Sequence, residues 1–205
     1  MARPREYNRD VVVHAAKEAF WRRGYEASDL HVLEKATQLS RSSMYLAFGS
    51  KRGLFDEAMA EYRSTFTESV LGPVESENAT TADAAGFFAA IASLFRGDLG
   101  SRGCLIVNAI GELAGRDASM ARQGADLYER HRLAFANALG AGSGGSARDQ
   151  AVIGDRAQIL AVSAMGVWIT SRVDPAAAAQ ACDAMVKQIT VWAHPTPRRR
   201  PATRS

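Results

Sequence analysis

Ser40, Arg41, Ser42 and Ser43 form one run directly ahead of Met44-Tyr45-Leu46-Ala47-Phe48, and Ser50-Lys51 follow after a single glycine. Small hydroxyls beside a guanidinium are hydrogen-bonding groups rather than a catalytic set. A helix that starts in this run presents free N–H groups and a partial positive charge, which suit phosphate. Arg41 can grip guanine O6 and N7 with two bonds, or hold a phosphate. Ser42 and Ser43 can bond bases or phosphates, and Tyr45 carries a hydroxyl at phosphate reach. Leu46 is apolar and can meet a thymine methyl. Lys51 adds charge at the start of the next helix.

Other chemistry is poorly represented. His14, His31, His131 and His194 are scattered, with no Ser-His-Asp order and no metal-ligand spacing. Cys104 and Cys182 stand far apart outside any CxxC or Cys/His pattern, so no zinc site is expected. No glycine-rich loop sits between a strand and a helix, and no cofactor is implied. An enzyme is therefore the weaker rival. A helical protein-interaction adaptor is a second rival, but it would leave the Ser-Arg-Ser-Ser run unexplained.

The 205 residues suffice for one large core or two small domains. Basic residues gather at the ends of the chain. Residues 1–53 hold 10 Lys+Arg against 6 Asp+Glu, residues 54–193 hold 11 against 16, and four Arg follow His194. That asymmetry points to a polyanion partner for the N-terminal part. The start, MARPREYNRD, is charged and lacks an apolar core, so no signal peptide is expected. The longest uncharged apolar run, about residues 157–171, falls short of the ~20 apolar residues that span a bilayer. The chain is read as a cytoplasmic protein with no membrane partner.

Helical periodicity runs throughout, and the expected class is all-α with about nine helices. Asn8 caps the first helix, which stops at Gly24. Asp29 and Ser40 cap two short helices. Ser50 caps a fourth, expected to run to Leu71 and to stop at Gly72-Pro73. Longer helices follow: one capped by Thr80 or Thr81, an apolar one in RGCLIVNAIGELAG, and one capped by Asp117. After a flexible connection over residues 140–148 come two more, at about 149–171 and 175–193. The expected domains are 1–50, 51–193 and a disordered basic tail, 194–205.

Two short helices joined by a tight turn have the proportions of a helix-turn-helix, whose second helix enters the major groove of duplex DNA. Here the sequence resembles the TetR family of bacterial transcriptional repressors. The likeness covers roughly Arg9 to Glu61. It rests on AAKEAFWRRGYEASDL and ATQLSRSSMYLAFGSKRGLF, with Phe20, Gly24-Tyr25, Ser28, Leu39-Ser40, Tyr45, Phe48, Ser50-Lys51 and Leu54 at the family's positions. The resemblance implies a homodimer on a palindromic double-stranded DNA operator, released when a small effector enters a helical C-terminal domain. The DNA-binding candidates are Ser28, Arg41, Ser42, Ser43, Tyr45, Leu46 and Lys51. Two positions depart from the family pattern. Gln38 replaces the glycine usual in the turn, and Leu46-Ala47 replace a polar or aromatic pair.

An effector cavity requires an apolar chamber with a few polar groups. The candidates for its lining are Tyr62, Phe66, Phe88, Phe95, Cys104, Asn108, Tyr128, His131 and Trp168, with Phe87 and Glu112 beside them; the mix suits a mainly apolar or aromatic ligand. Cys104 follows Arg102-Gly103 and is expected in the first turn of a helix, where thiolate is favoured. In some TetR-like repressors a similar Gly-Cys-Leu segment senses electrophiles or oxidants, so this resemblance makes Cys104 also a candidate redox sensor. The small and apolar faces of the last two helices are candidates for a four-helix dimer interface. One face carries Ala157, Leu160, Ala161, Ala164, Val167 and Trp168. The other carries Ala177, Ala178, Ala181, Met185, Ile189 and Trp192. Their alternative role is to complete the core of the protomer.

Overall fold

The computed structural model describes residues 7–97, 100–141 and 145–193. Among these the chain is all-helical: α1 (Arg9–Arg23), α2 (Leu30–Thr37), α3 (Arg41–Phe48), α4 (Lys51–Tyr62), α5 (Glu68–Glu75), α6 (Thr81–Arg96), α7 (Leu105–Leu113), α8 (Ala118–Gly140), α9 (Ala147–Ser171) and α10 (Pro175–Ala193). A single π turn, Arg63–Thr67, joins α4 to α5. Counted as one bent rod, these two give the nine expected helices. The expected tail, 194–205, lies outside the described residues.

Local chemistry sets most helix starts. The side chains of Asn8, Asp29, Ser40, Ser50 and Asp117 each accept a backbone N–H from the first turn they precede. At α6 the Asp83 carboxylate accepts from both the N–H and the hydroxyl of Thr80. Gly24 ends α1 at φ 85°, and a Cβ there would lie 2.7 Å from Glu112 Oε2. Only glycine suits both the backbone and the space.

Two expectations give way, and the turn at Gln38 shows how it forms without glycine. Gly72-Pro73 does not stop the fourth helix; Pro73 lies inside α5, which ends at Glu75. Proline there removes one intrahelical hydrogen bond, and the fully buried Leu71 and Val74 hold the turn in place. The connection expected at 140–148 is shorter, because Gly140 closes α8 and Ser146 caps α9 at once. Gln38 adopts the left-handed conformation of the missing glycine, φ 57° and ψ 18°, and its side-chain amide donates to Lys35 O at 2.7 Å.

The first core joins α1–α3 to the start of α4. Phe20, Leu33, Met44, Leu54 and Phe55 are buried there, with the Phe55 ring edge-on to Phe20 and Tyr25. The second core packs α6 along α10 and α8 along α9. Ala157, Leu160, Ala161, Ala164, Val167 and Trp168 face inward in α9, as do Ala178 and Ile189 in α10. Ala177, Ala181, Met185 and Trp192 are half-buried. The buried ones complete the protomer core, while Ala177, Ala181, Met185 and Trp192 keep part of their surface open. The outward stripe of α9 is a different one: Val152, Ile159, Val162 and Ile169, all exposed. By length and composition alone α9 is apolar enough to cross a membrane, with a mean hydropathy of 1.3. Its inner face is spent on α8 and α10.

Candidate functional site

The face of α3 is open. Arg41, Ser42, Tyr45 and Leu46 are exposed, Leu46 by 90%. Beneath them Met44 and Phe48 anchor the helix, so the outer side chains stand on a fixed base. The Ser40 hydroxyl accepts the Ser43 N–H and lies 3.0 Å from both the Ser42 and the Ser43 hydroxyls. The Arg41 guanidinium stands 6.0 Å from the Tyr45 ring.

The structure corrects several details. The amides of the first turn are not all free, because Glu34 Oε1 accepts the Arg41 N–H at 2.6 Å and Ser40 takes that of Ser43. Ser28 is fully buried and donates to Gly24 O at 2.7 Å, so it braces the α1–α2 turn and does not stand on the exposed face. Lys51 folds back, its ammonium 4.4 Å from the centre of the Tyr25 ring and 3.4 Å from Glu26 O.

A second site lies between α5–α9 and the π turn. Phe66, Thr67, Val70, Leu71, Phe87, Cys104, Ile106, Val107, Leu127, His131, Ala164, Met165 and Trp168 enclose a mainly apolar cavity of about 30 Å³. That is room for about one water. Of the residues expected there, Phe66, Cys104, His131 and Trp168 line it, together with Phe87. The others are placed elsewhere. Tyr62 stacks behind Phe66, Phe88 stacks on Phe135, and Phe95 meets the edge of Trp168. Tyr128 is half-buried on the core. Asn108 donates to Arg102 O at 2.8 Å and so ties the segment before α7. Thr67, Leu127 and Met165 were not anticipated. Lining a cavity depends on packing between distant elements, which leaves no mark in local sequence.

Cys104 is the N-cap of α7, not a member of its first turn, and it is buried. Burial pushes its thiol above its ordinary value, so the expected thiolate is not favoured. The Tyr62 hydroxyl faces it without a hydrogen bond of normal length. Cys182 is likewise buried, and desolvation pushes its thiol up to about 12. Burial holds the His131 imidazole below its ordinary value, and its Nδ1 lies 2.7 Å from Leu127 O.

The two sites are wired together. Glu112 is not a cavity residue: its carboxylate accepts the N–H groups of Tyr25 and Glu26, just past α1, at 2.9 and 2.7 Å. Trp21 Nε1 donates to Gly103 O at 2.9 Å. Arg52 on α4 pairs with Asp117, the cap of α8, and holds that carboxyl below its usual range. A column of touching rings runs from Trp21 in α1 through Tyr62 and Phe66 to Trp168 and Phe95, with neighbouring centroids 5.0 to 5.8 Å apart.

Comparison with known proteins agrees with this architecture. Residues 12–58 match the model for bacterial regulatory proteins of the tetR family. The chain is 33% identical over 107 residues to the HTH-type transcriptional repressor ComR of Escherichia coli (strain K12), covering 52% of this chain and 51% of ComR. It is 28% identical over 122 residues to the uncharacterized HTH-type transcriptional regulator YezE of Bacillus subtilis (strain 168), covering 60% and 63%. The matches thus span about half to two thirds of the length of these curated relatives. Among solved structures, a cysteine-substituted form of the TetR family regulator CifR, complexed with 26-base-pair double-strand operator DNA, superposes with a TM-score of 0.70 at 27% identity. That match covers 90% of this chain and 98% of CifR. A TetR family regulator from Cytophaga hutchinsonii shares the fold at 14% identity, with a TM-score of 0.70 and coverage of 91% and 97%.

Proposed function

We propose that this chain, a member of the TetR family by its N-terminal domain and its fold, is a transcriptional repressor. In this reading it binds a palindromic DNA operator as a homodimer and leaves it when a small, mainly apolar effector fills the cavity. The carrying observation is the α3 face, where Arg41, Ser42, Tyr45 and Leu46 stand exposed on a helix anchored by Met44 and Phe48. Those are the side chains a major groove accepts: a bidentate donor for guanine, hydroxyls for phosphate and an aliphatic tip for a thymine methyl. That ComR is a repressor and that CifR was solved on operator DNA both support the reading.

Dimerisation is supported by Ile159, Val162 and Ile169, which lie on one stripe of α9 with Val152 one further step along it. An exposed aliphatic row on a long helix is suited to a twofold partner. Release is supported by the ring column. Phe66 lines the cavity and also touches Tyr62 and Trp21, so filling the cavity displaces a side chain that packs on α1. A ligand shifts the equilibrium only by its preference for one arrangement, typically by about 1–3 kcal/mol of coupling. Modification of Cys104 is a weaker trigger, since burial disfavours the thiolate until the cavity opens.

Duplexes enriched by the full-length protein from a random pool test this. The expected product carries two symmetric half-sites about one helical turn apart, ~34 Å, with an even number of chains per duplex in sedimentation. Enrichment of a single half-site by one chain would refute the dimeric reading.

A further inference from the structure

The cavity holds two polar groups that the protein leaves unpartnered. Thr67 is the first. Its neighbours Ser64, Thr65 and Ser69 each donate their hydroxyl to a carbonyl one turn back. Thr67 Oγ1 has no partner and is buried. Thr67 sits in the π turn, where the carbonyl of Arg63 accepts the N–H of Glu68. His131 is the second. Its Nδ1 must be the donor to Leu127 O, since a carbonyl can only accept. In the neutral ring Nε2 then carries a lone pair, with no partner among the described residues. Both residues line the same cavity, and both are more than nine-tenths buried. The Thr67 hydroxyl, buried and left open in an apolar chamber, is costly, and beside the free His131 lone pair it marks a place for a ligand.

We infer that the effector is a neutral, mainly apolar molecule bearing one hydroxyl, whose O–H donates to His131 Nε2 and whose oxygen accepts from the Thr67 hydroxyl. The proposal rests on the reading of this cavity as the effector site. One oxygen can serve both groups, because the free space is about that of one water. The rest of the wall is apolar apart from the Cys104 thiol and the Trp168 indole N–H, and it offers neither a lysine or arginine for a carboxylate nor a carboxylate for an amine. The hydrocarbon part of the ligand enlarges the chamber by displacing Phe66 and the adaptable Met165.

Calorimetric titration of the full-length protein with phenol, toluene and benzoate tests the inference, on the wild type, Thr67→Val and His131→Leu. Phenol is expected to bind at least about tenfold tighter than toluene, the scale of one or two buried hydrogen bonds. Both variants should lose most of that preference, with melting temperatures confirming the fold. Thr67→Val alone carries the test if His131→Leu does not fold. Equal binding of phenol and toluene by the wild type overturns the hydroxyl proposal and leaves the effector cavity intact. Tighter binding of benzoate than phenol also overturns it. If neither phenol nor toluene binds, the cavity reading itself falls, and the proposal with it.

Discussion

The α3 face and the chamber beside the π turn treat hydrogen-bonding groups in opposite ways. On α3, Arg41, Ser42 and Tyr45 stand in water, which satisfies any group that lacks a protein partner. In the chamber, Thr67 Oγ1 is shut away from water without a partner, which costs about 1–3 kcal/mol. A groove-reading surface can therefore rest on three short helices and a small core. A chamber that keeps unpaired groups needs the larger α5–α10 body to carry the strain. The joints between the two, Glu112 on the α1–α2 turn and Trp21 on Gly103, tie the two regions together by direct hydrogen bonds.

The sharpest way to break this contrast is a matched pair of truncations. Phe87→Ala, in a ring contact network with Phe88, His131 and Phe135, should lower unfolding stability by about 3–5 kcal/mol in urea titrations. Leu46→Ser should leave stability within about 0.5 kcal/mol while weakening DNA binding. Similar stability losses for both would erase the distinction between an open and an embedded site.

The next effect is on recognition. Arg41→Ala should cost about 1–3 kcal/mol on the enriched duplex and relax preference at one base pair. Lys51→Ala should weaken all sequences alike and reduce the salt slope by about one unit. A sequence-independent loss for both variants, read from parallel titrations on enriched and random duplex, would make Arg41 another phosphate clamp.

Acid titration probes the chamber more gently. Burial holds the His131 imidazole below its ordinary value of 6.5, so the unfolded chain takes up this proton first. Stability present above about pH 6.5 is then lost as the pH falls through that value towards the native one. His131→Leu should show a shallower acid-side fall in denaturation midpoint, and an unchanged slope would show that the ring is not held neutral by its surroundings. The smallest effect concerns the α2–α3 turn, where Gln38 sits in the left-handed region. Gln38→Gly should gain up to about 1 kcal/mol by relieving that conformation. A clear loss would mean that the bond from its side chain to Lys35 O outweighs the strain.

Legibility in the sequence followed the range of the forces involved. The caps at Asn8, Asp29, Ser40, Ser50 and Asp117 and the stop at Gly24 were readable because each acts within one turn of the chain. The exposed α3 face was readable for the same reason. Ser28 was misplaced because its hydroxyl turns back on Gly24 O, a choice that an exposed and a buried serine make alike in sequence. The π turn, the survival of α5 through Pro73 and the membership of the cavity wall depend on contacts between distant helices. Tyr62, Phe88 and Phe95 were sensible aromatic candidates, yet packing put them behind the wall. Cys104 followed the helix-start rule for reactive thiols, but burial reversed its sign.

The central claim, that α3 reads duplex DNA, is tested most directly by equilibrium binding of the full-length wild type and Arg41→Ala to the enriched duplex and a scrambled one. The range is about 50 to 200 mM salt. Wild-type affinity should fall steeply with salt on both duplexes while favouring the enriched one, and Arg41→Ala should lose much of that preference. Affinity insensitive to salt, or a preference untouched by Arg41→Ala, would contradict the account.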